Sequence, residues 1–400
     1  MIDREAGQQG SGRAVAGDAV GSDDLASMFA AEQDTPYARW VRAEGLEILS
    51  SCHVPDLHAV ELSPWPRRGG RGLFLNHAAS RTSSDSYVCE IAPGTELTPQ
   101  RQLYEELVYL LDGLGSTVVW NDAGQRLTFE WKTGAVFAIP LNAWHQHFNG
   151  SGTRPARYVS VTNAPAIINA FDDLDFVFNT AHDFTSRFSG EPGYFAGDGE
   201  RRGLLLDVNV VADARSLSLV TTGERGGVNE HIWLRMAEGK MSGHISQLPV
   251  GTYTKAHMQG PSAHLIILAG EGYSLVWSKG LAPERYDWKS GTMLVPSNQC
   301  YQQHFNTGSI PARYLAFKTE SVAIRNAEGV PKAWISERLG GDQINYADES
   351  PRMRRLFAEA LAGRGLTLKM DEAYAAELKN EERAAPQATS ATPDGHGAEQ

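Results

Sequence analysis

Four hundred residues with 42% hydrophobic side chains can bury two substantial cores, and the expected domain count is two or three. A formal net charge of −12, with no basic run more concentrated than Arg352-Met353-Arg354-Arg355, excludes nucleic acid and anionic membrane as partners, because both demand a concentrated positive patch. No apolar run reaches the roughly 18 residues needed to span a bilayer. Three scattered cysteines, Cys52, Cys89 and Cys300, lack CxxC spacing and read as free thiols. With no apolar leader in sight, the expectation is a cytoplasmic protein.

Residues 1–34 are rich in Gly, Ala, Ser and Asp and carry too little apolar surface to offset ordering entropy, which predicts disorder. Order begins at Thr35-Pro36-Tyr37-Ala38-Arg39-Trp40, where Pro stands at a favoured first helical position. Ala59–Leu62 and Gly72–Leu75 read as short strands around the turn-rich Pro64-Trp65-Pro66-Arg67-Arg68-Gly69-Gly70. From there a succession of short strands follows, at 86–91, 106–111, 116–120, 126–131, 135–139, 145–148 and 156–161. Turns of Gly, Asp and Asn separate them, and no helical period intrudes. This pattern predicts an all-β jelly-roll barrel whose alternate side chains face inward.

Residues 163–241 form a connection with a strand or short helix at 166–171 and a strand at 203–208. Its aromatics Phe176, Phe178, Phe184, Phe188, Tyr194 and Phe195 need a home. They are expected to fill the seam between barrels or an oligomer interface, with a lid over a pocket as the alternative. A second barrel spans 242–320. A helical extension at 321–378, with helices at 350–362 and 370–378, and a polar tail at 379–400, expected to be disordered, complete the chain.

The second barrel is inferred from an internal repeat. Gly94, Gly113, Trp120, Gly134 and Asn149 recur as Gly251, Gly270, Trp277, Gly291 and Asn306 at a constant offset of 157 residues, and Pro155-Ala156-Arg157-Tyr158 recurs as Pro311-Ala312-Arg313-Tyr314. Within each copy the spacing follows G-x5-H-x-H-x3-E-x6-G and then G-x5-P-x-G-x2-H-x3-N. These two motifs resemble those of the cupin superfamily, and the repeat resembles a bicupin. The resemblance covers roughly residues 85–162 and 242–318 and implies two jelly-roll cupin barrels with short flanking helices.

A cupin barrel holds imidazoles and a carboxylate in its cavity: an H-x-H pair on one strand face points both rings inward, and a Glu and a later His complete the shell. Here the H-x-H positions of copy one are Gln100 and Gln102, while Glu106 and His145 keep their places and His147 lies on the same face. In copy two His257 holds the first position, Gln259 the second, His264 the carboxylate position by a one-residue variant, and Gln302 the last, with His304 two residues on. A neutral amide is a poor donor to a first-row metal, so the glutamines lower the expected affinity. The expected metal ligands are His257, His264 and His304 in the second barrel, then Glu106, His145 and His147 in the first. The four glutamines line the pockets. The run Ala263-His264-Leu265 and the closing Gln-His-Phe-Asn are similar to the gentisate-dioxygenase-like bicupins, which implies a divalent metal, Fe(II) first, with Mn, Ni or Zn as alternatives.

The tryptophans Trp120, Trp131, Trp277 and Trp288 are expected to pack the barrel exterior or seam rather than bind ligand. His53, His58, His77, His182, His231 and His244 are expected at the surface or in satisfied hydrogen bonds. Two functions stand. The leading one is a metal-dependent, dioxygenase-like oxidoreductase acting on a small aromatic or organic acid. The alternative is a catalytically silent bicupin that binds a small polar ligand without metal, its glutamines supplying donors and acceptors.

Overall fold

The computed structural model describes residues 34–77, 83–222, 229–258, 263–319, 329–330, 332–375 and 377. The expected disordered segments, apart from Asp34, lie outside these residues, as does Gln259. Barrel one is made of two facing antiparallel sheets. The larger runs in spatial order Val210–Val211, Val136–Ile139, Glu106–Asp112, Ala156–Thr162, Asp85–Ile91, Gly70–Leu75 and Ser63–Trp65, and the smaller is Arg126–Lys132, Leu114–Trp120 and Trp144–Asn149. Barrel two repeats this with Met293–Leu294, His264–Ala269, Ala312–Thr319, Met241–Leu248 and Asn229–Arg235 facing Glu284–Lys289, Glu271–Ser278, Cys300–Asn306 and Ala256–Met258. The fold is all-β, two jelly-roll barrels with short flanking helices.

The burial of each strand explains its sequence. Glu106–Asp112 is buried on both faces: Val108 and Leu110 face the barrel interior, while Leu107, Tyr109 and Leu111 face the other barrel. Such a strand reads as a continuous apolar run. Arg126–Lys132 buries only Phe129 and Trp131, so it alternates. Gly113 and Gly270 close the same turn in the two copies with φ of 96° and 84°; a Cβ at either would lie 2.7 Å from the Cα of Ala156 or Ala312. Only glycine fits there.

The barrels pack back to back through an aliphatic seam that includes Leu75, Val88, Leu107, Val161, Ile232, Ile266, Leu315 and Phe317. Each copy also lends a strand to the other. His53–Val54 pairs with Met293–Leu294 of barrel two, and Val210–Val211 pairs with Val136–Phe137 of barrel one. These arms stand at the repeat offset, so the exchange is reciprocal.

Of the strand or short helix expected at 166–171, the structure has the helix, Ala164–Phe171. Two expectations are corrected here. Ala59–Leu62 is not a strand. The connection's aromatics do not fill the seam: Phe178, Phe184, Phe188, Tyr194 and Phe195 pack on the core of barrel one, and Phe176 is exposed beside Phe171. The helix Pro36–Ala43, capped by Thr35, joins them through Tyr37, Trp40 and Val41. Together these pieces cover barrel one. On barrel two, the helix Pro351–Ala362 covers the outer face of the smaller sheet through Phe357 and Leu361 against Tyr273 and Phe305.

Candidate functional site

Strand alternation brings His145 and His147 to the same inward face of Trp144–Asn149, and both rings are buried with centroids 5.4 Å apart. His145 Nδ1–H donates to the carbonyl of Ala143 at 3.3 Å, so its Nε2 presents a lone pair to the interior. His147 Nδ1 shares a hydrogen bond with Thr117 Oγ1 at 2.7 Å, and Trp131 Nε1 donates to the same hydroxyl at 2.9 Å. The relay repeats in barrel two: Ser274 Oγ stands 2.7 Å from His304 Nδ1 and accepts from Trp288 Nε1 at 3.0 Å. Trp131 and Trp288 therefore face inward and position a histidine, contrary to expectation. Trp120 and Trp277 lie on the outer faces, stacked on Trp144 and Tyr301.

Glu106 is the centre of barrel one. Its Oε1 accepts from Ser160 Oγ at 2.7 Å and from the hydroxyl of Tyr87, and its Oε2 accepts from Gln102 Nε2 at 3.0 Å. The fully buried Arg68 places Nη2 3.6 Å from the same Oε2. Its guanidinium lies over the rings of Tyr87 and Trp65, 4.4 and 4.8 Å from their centroids, and Nη1 donates to Tyr158 Oη at 3.2 Å. Gln100 turns to the rim, where its Oε1 accepts from Arg67 Nη1 at 3.0 Å.

The electrostatics follow from this packing. Burial would raise the Glu106 carboxyl, but Arg68 and the hydrogen bond from Tyr87 outweigh it and hold the group down at about 2. Burial pushes His145 down to about 4 and His147 to about 3, so both rings are neutral at pH 7. His145 Nε2, His147 Nε2 and Gln102 Oε1 are buried without a protein hydrogen-bond partner.

Barrel two differs in its donors. His257 Nδ1–H donates to Lys255 O at 3.3 Å, turning Nε2 toward the side-chain amide of Gln302 at 3.4 Å. His257, Gln302 and His304 line one narrow void with His244, Ala263, Leu265 and Tyr314. His264 does not join them. Its parity on His264–Ala269 is that of Ile266 and Leu268, so it faces the seam, where it meets His77 edge to face at 5.3 Å. The residue at the position of Glu106 is Ala263, at the offset of 157 that also preserves the spacing to Gly270.

The residues present do not fit a divalent cation. In barrel one both oxygens of Glu106 are engaged, and at ~4 Å in an effective dielectric of ~20 the guanidinium repels a divalent ion by roughly 8 kcal/mol, offsetting a large part of what the carboxylate offers. In barrel two Ala263 and Gln302 stand where a carboxylate and an imidazole are needed. Among the described residues no group of three or more His, Cys, Asp or Glu is arranged to hold a metal ion.

Sequence reasoning missed Arg68 with its cage of Trp65, Tyr87 and Tyr158, and it missed His244. A signal for Arg68 existed: Arg68-Gly69-Gly70 recurs as Arg225-Gly226-Gly227 at the repeat offset, although the second copy lies outside the described residues.

No protein-family model matches the chain, and no curated protein matches its sequence. Among solved structures it is similar to oxalate decarboxylase of Bacillus subtilis at pH 4.6, with 11% identity over 68% of this chain and 77% of that one and a TM-score of 0.46. A deletion variant of the same enzyme gives 10% identity, 68% and 78% coverage and 0.45. This likeness concerns the fold alone. Among the described residues, no helix is long and apolar enough to cross a membrane.

Proposed function

We propose that this chain is a bicupin that binds a small polar molecule through side-chain hydrogen bonds, without a metal and without catalysing a reaction. The observation that carries the reading is the buried ion pair of Arg68 with Glu106, which places a permanent cation beside the carboxylate a metal would need. Beside it His145 Nε2 and Gln102 Oε1 offer acceptors and His147 Nε2 a third polar atom, all without protein partners. Buried polar atoms of this kind call for a partner. A small hydroxyl- or amide-bearing molecule supplies the donors they need.

The competing reading is a metal-dependent, gentisate-dioxygenase-like oxidoreductase acting on a small aromatic or organic acid. What favours it is the convergence of His257 and His304 on one void. Metal analysis of protein purified without chelators separates the two. The ligand-binding reading expects well under one equivalent of metal per chain and no thermal stabilisation by Fe(II), Mn(II), Ni(II) or Zn(II). It also expects a thermal shift with small polyols or amides that Gln102→Leu removes. One equivalent of metal, lost in His257→Ala, would replace it with the oxidoreductase reading.

A further inference from the structure

We propose that His147 and His145 form a fixed donor and acceptor pair, His147 Nε2–H giving and His145 Nε2 receiving, and that the molecule bound in barrel one is a small uncharged alcohol whose hydroxyl bridges the two rings. The inference rests on the ligand-binding reading above and narrows its ligand class.

The assignment follows from placing the hydrogens at Thr117. Trp131 Nε1–H can only donate, so Thr117 Oγ1 accepts from it at 2.9 Å and uses one lone pair. The hydroxyl hydrogen still needs an acceptor, because Thr117 is 0% exposed, and among the described residues the other partner of that oxygen is His147 Nδ1 at 2.7 Å. Thr117 O–H therefore donates to His147 Nδ1. Burial keeps the ring neutral at pH 7, so its one N–H is on Nε2. His145 has the opposite arrangement. Ala143 O can only accept, which puts the hydrogen of that ring on Nδ1 and the lone pair on Nε2.

The two rings stand two residues apart on one strand face with centroids 5.4 Å apart, about twice an ordinary hydrogen-bond length of ~2.7 Å. A hydroxyl between them accepts from His147 and gives its own hydrogen to His145. A carboxylate or an ether has no hydrogen to give, and an ammonium has no lone pair to receive one. Gln102 Oε1 is a further buried acceptor, its amide nitrogen being tied to Glu106 at 3.0 Å, and it calls for a second hydroxyl. Charge is disfavoured as well: Glu106 and Arg68 already compensate each other, so an ion would lose its hydration without meeting an unmatched counter-charge. The pair is particular to barrel one. Barrel two keeps the relay of Trp288, Ser274 and His304, but at the repeat offset Gln302 replaces His145.

The test reads the ring hydrogens directly. The full chain, labelled with 15N-histidine, is studied at pH 7 by long-range 1H–15N NMR, with signals assigned through His145→Gln and His147→Gln. The expected result is His147 protonated on Nε2 and His145 on Nδ1. Four probes are then titrated: 1,2-propanediol, 1,2-dimethoxyethane, acetamide and acetate. The diol should shift both Nε2 signals saturably and the other three should not, a local response that the general exclusion of polyols from protein surfaces does not produce. Thr117→Val should lose the Nε2–H form of His147 and bind the diol about 10-fold more weakly, whereas Thr117→Ser should keep both properties. A loss of stability alone would leave the ring hydrogen where it is. If Thr117→Val does not fold, the wild-type spectra decide. A His147 protonated on Nδ1 in the wild type, or an Nε2–H that survives in folded Thr117→Val, overturns the assignment. Rings shifted by acetamide or acetate and not by the diol overturn the inference and leave the ligand-binding reading intact, whereas rings that respond to none of the four overturn both.

Discussion

Glu106 and Ala263 occupy the same place in the two barrels, one residue ahead of the seam-facing Leu107 and His264. One barrel thus carries a buried charge pair at its centre, and the other replaces the carboxylate with a methyl group.

Breaking that pair from one side should be costly. Glu106→Leu leaves Arg68 charged and fully buried without its counter-ion, and we expect a loss of about 3–5 kcal/mol in denaturant unfolding. Replacing both partners, Arg68→Met with Glu106→Leu, removes the desolvation cost along with the attraction and should recover most of the loss. Equal and additive losses in the double-mutant cycle would show that the two groups do not act as a pair.

The buried imidazoles predict the pH dependence. Burial lowers His145 to about 4 and His147 to about 3, and it lowers His77 to about 4 despite the bond to Ser51 O. Each ring is neutral in the fold and protonates near pH 6.5 when unfolded, so the unfolded state binds more protons below that pH. The stability they contribute is present above about pH 6.5 and is lost as pH falls toward 4 and then 3. Glu106, held at about 2 by Arg68 and Tyr87 against burial, adds a loss between its unfolded value near 4.5 and about 2. Calorimetric melts from pH 7 to 4 should therefore show a steadily falling Tm, with His145→Gln flattening the slope. A Tm constant over that range would contradict the burial of these rings in the solution fold.

Much of the fold was legible because the motif glycines and asparagines answer local demands. Gly113 and Gly270 occupy left-handed turns, and Asn149 and Asn306 each donate to three carbonyls at the same turn in the two copies. Such needs leave a mark at fixed spacing. The site was less legible. His264 was placed in the cavity by allowing the motif one extra residue, and on a strand a slip of one turns a side chain to the opposite face. Carrying the offset of 157 through Glu106 would have selected Ala263 instead. The recurrence of Arg68-Gly69-Gly70 marked the position of Arg68 but not its role, because Trp65, Tyr87, Glu106 and Tyr158 come from four different strands and meet it only in the folded barrel.

The two hydroxyl relays predict a paired effect. Thr117→Val keeps the shape of the side chain but strips Trp131 Nε1 and His147 Nδ1 of their partner inside the core, and Ser274→Ala does the same for Trp288 and His304. Unpaired buried groups cost about 1–3 kcal/mol each, so each variant should unfold at lower denaturant with an unchanged m-value. Thr117→Ser restores the hydroxyl and should recover most of the loss. If Thr117→Ser is as unstable as Thr117→Val, the lost methyl and not the relay is responsible.

The repeated Pro-Ala-Arg-Tyr has a structural reason that leads to the last prediction. Arg157 Nη1 donates to the carbonyls of His58, Val60 and Leu57 at 2.6, 3.3 and 3.5 Å, while its Nη2 pairs with Glu90 at 2.7 Å. Arg313 Nη1 does the same to Arg215, Leu217 and Ala214 at 2.7, 3.1 and 3.2 Å, with Gln247 in the place of Glu90. Each arginine clamps the segment just after the strand its own copy lends to the other barrel, so the clamps hold the reciprocal exchange in place. A planar guanidinium reaches several carbonyls where an ammonium cannot, and Lys should not substitute at either position. Arg157→Ala and Arg157→Lys should both speed hydrogen exchange at residues 53–58, including the Leu57 amide that donates to Gly291 O at 2.8 Å, by about 10- to 100-fold, equivalent to about 1.4–2.8 kcal/mol of local stability. Strand Ala156–Thr162, protected by pairing on both sides, should exchange as before. Arg313→Ala should act instead on Val210–Val211 and the chain that follows it. Exchange that rises evenly across both barrels would mean that the arginine supports global stability and does not clamp the arm.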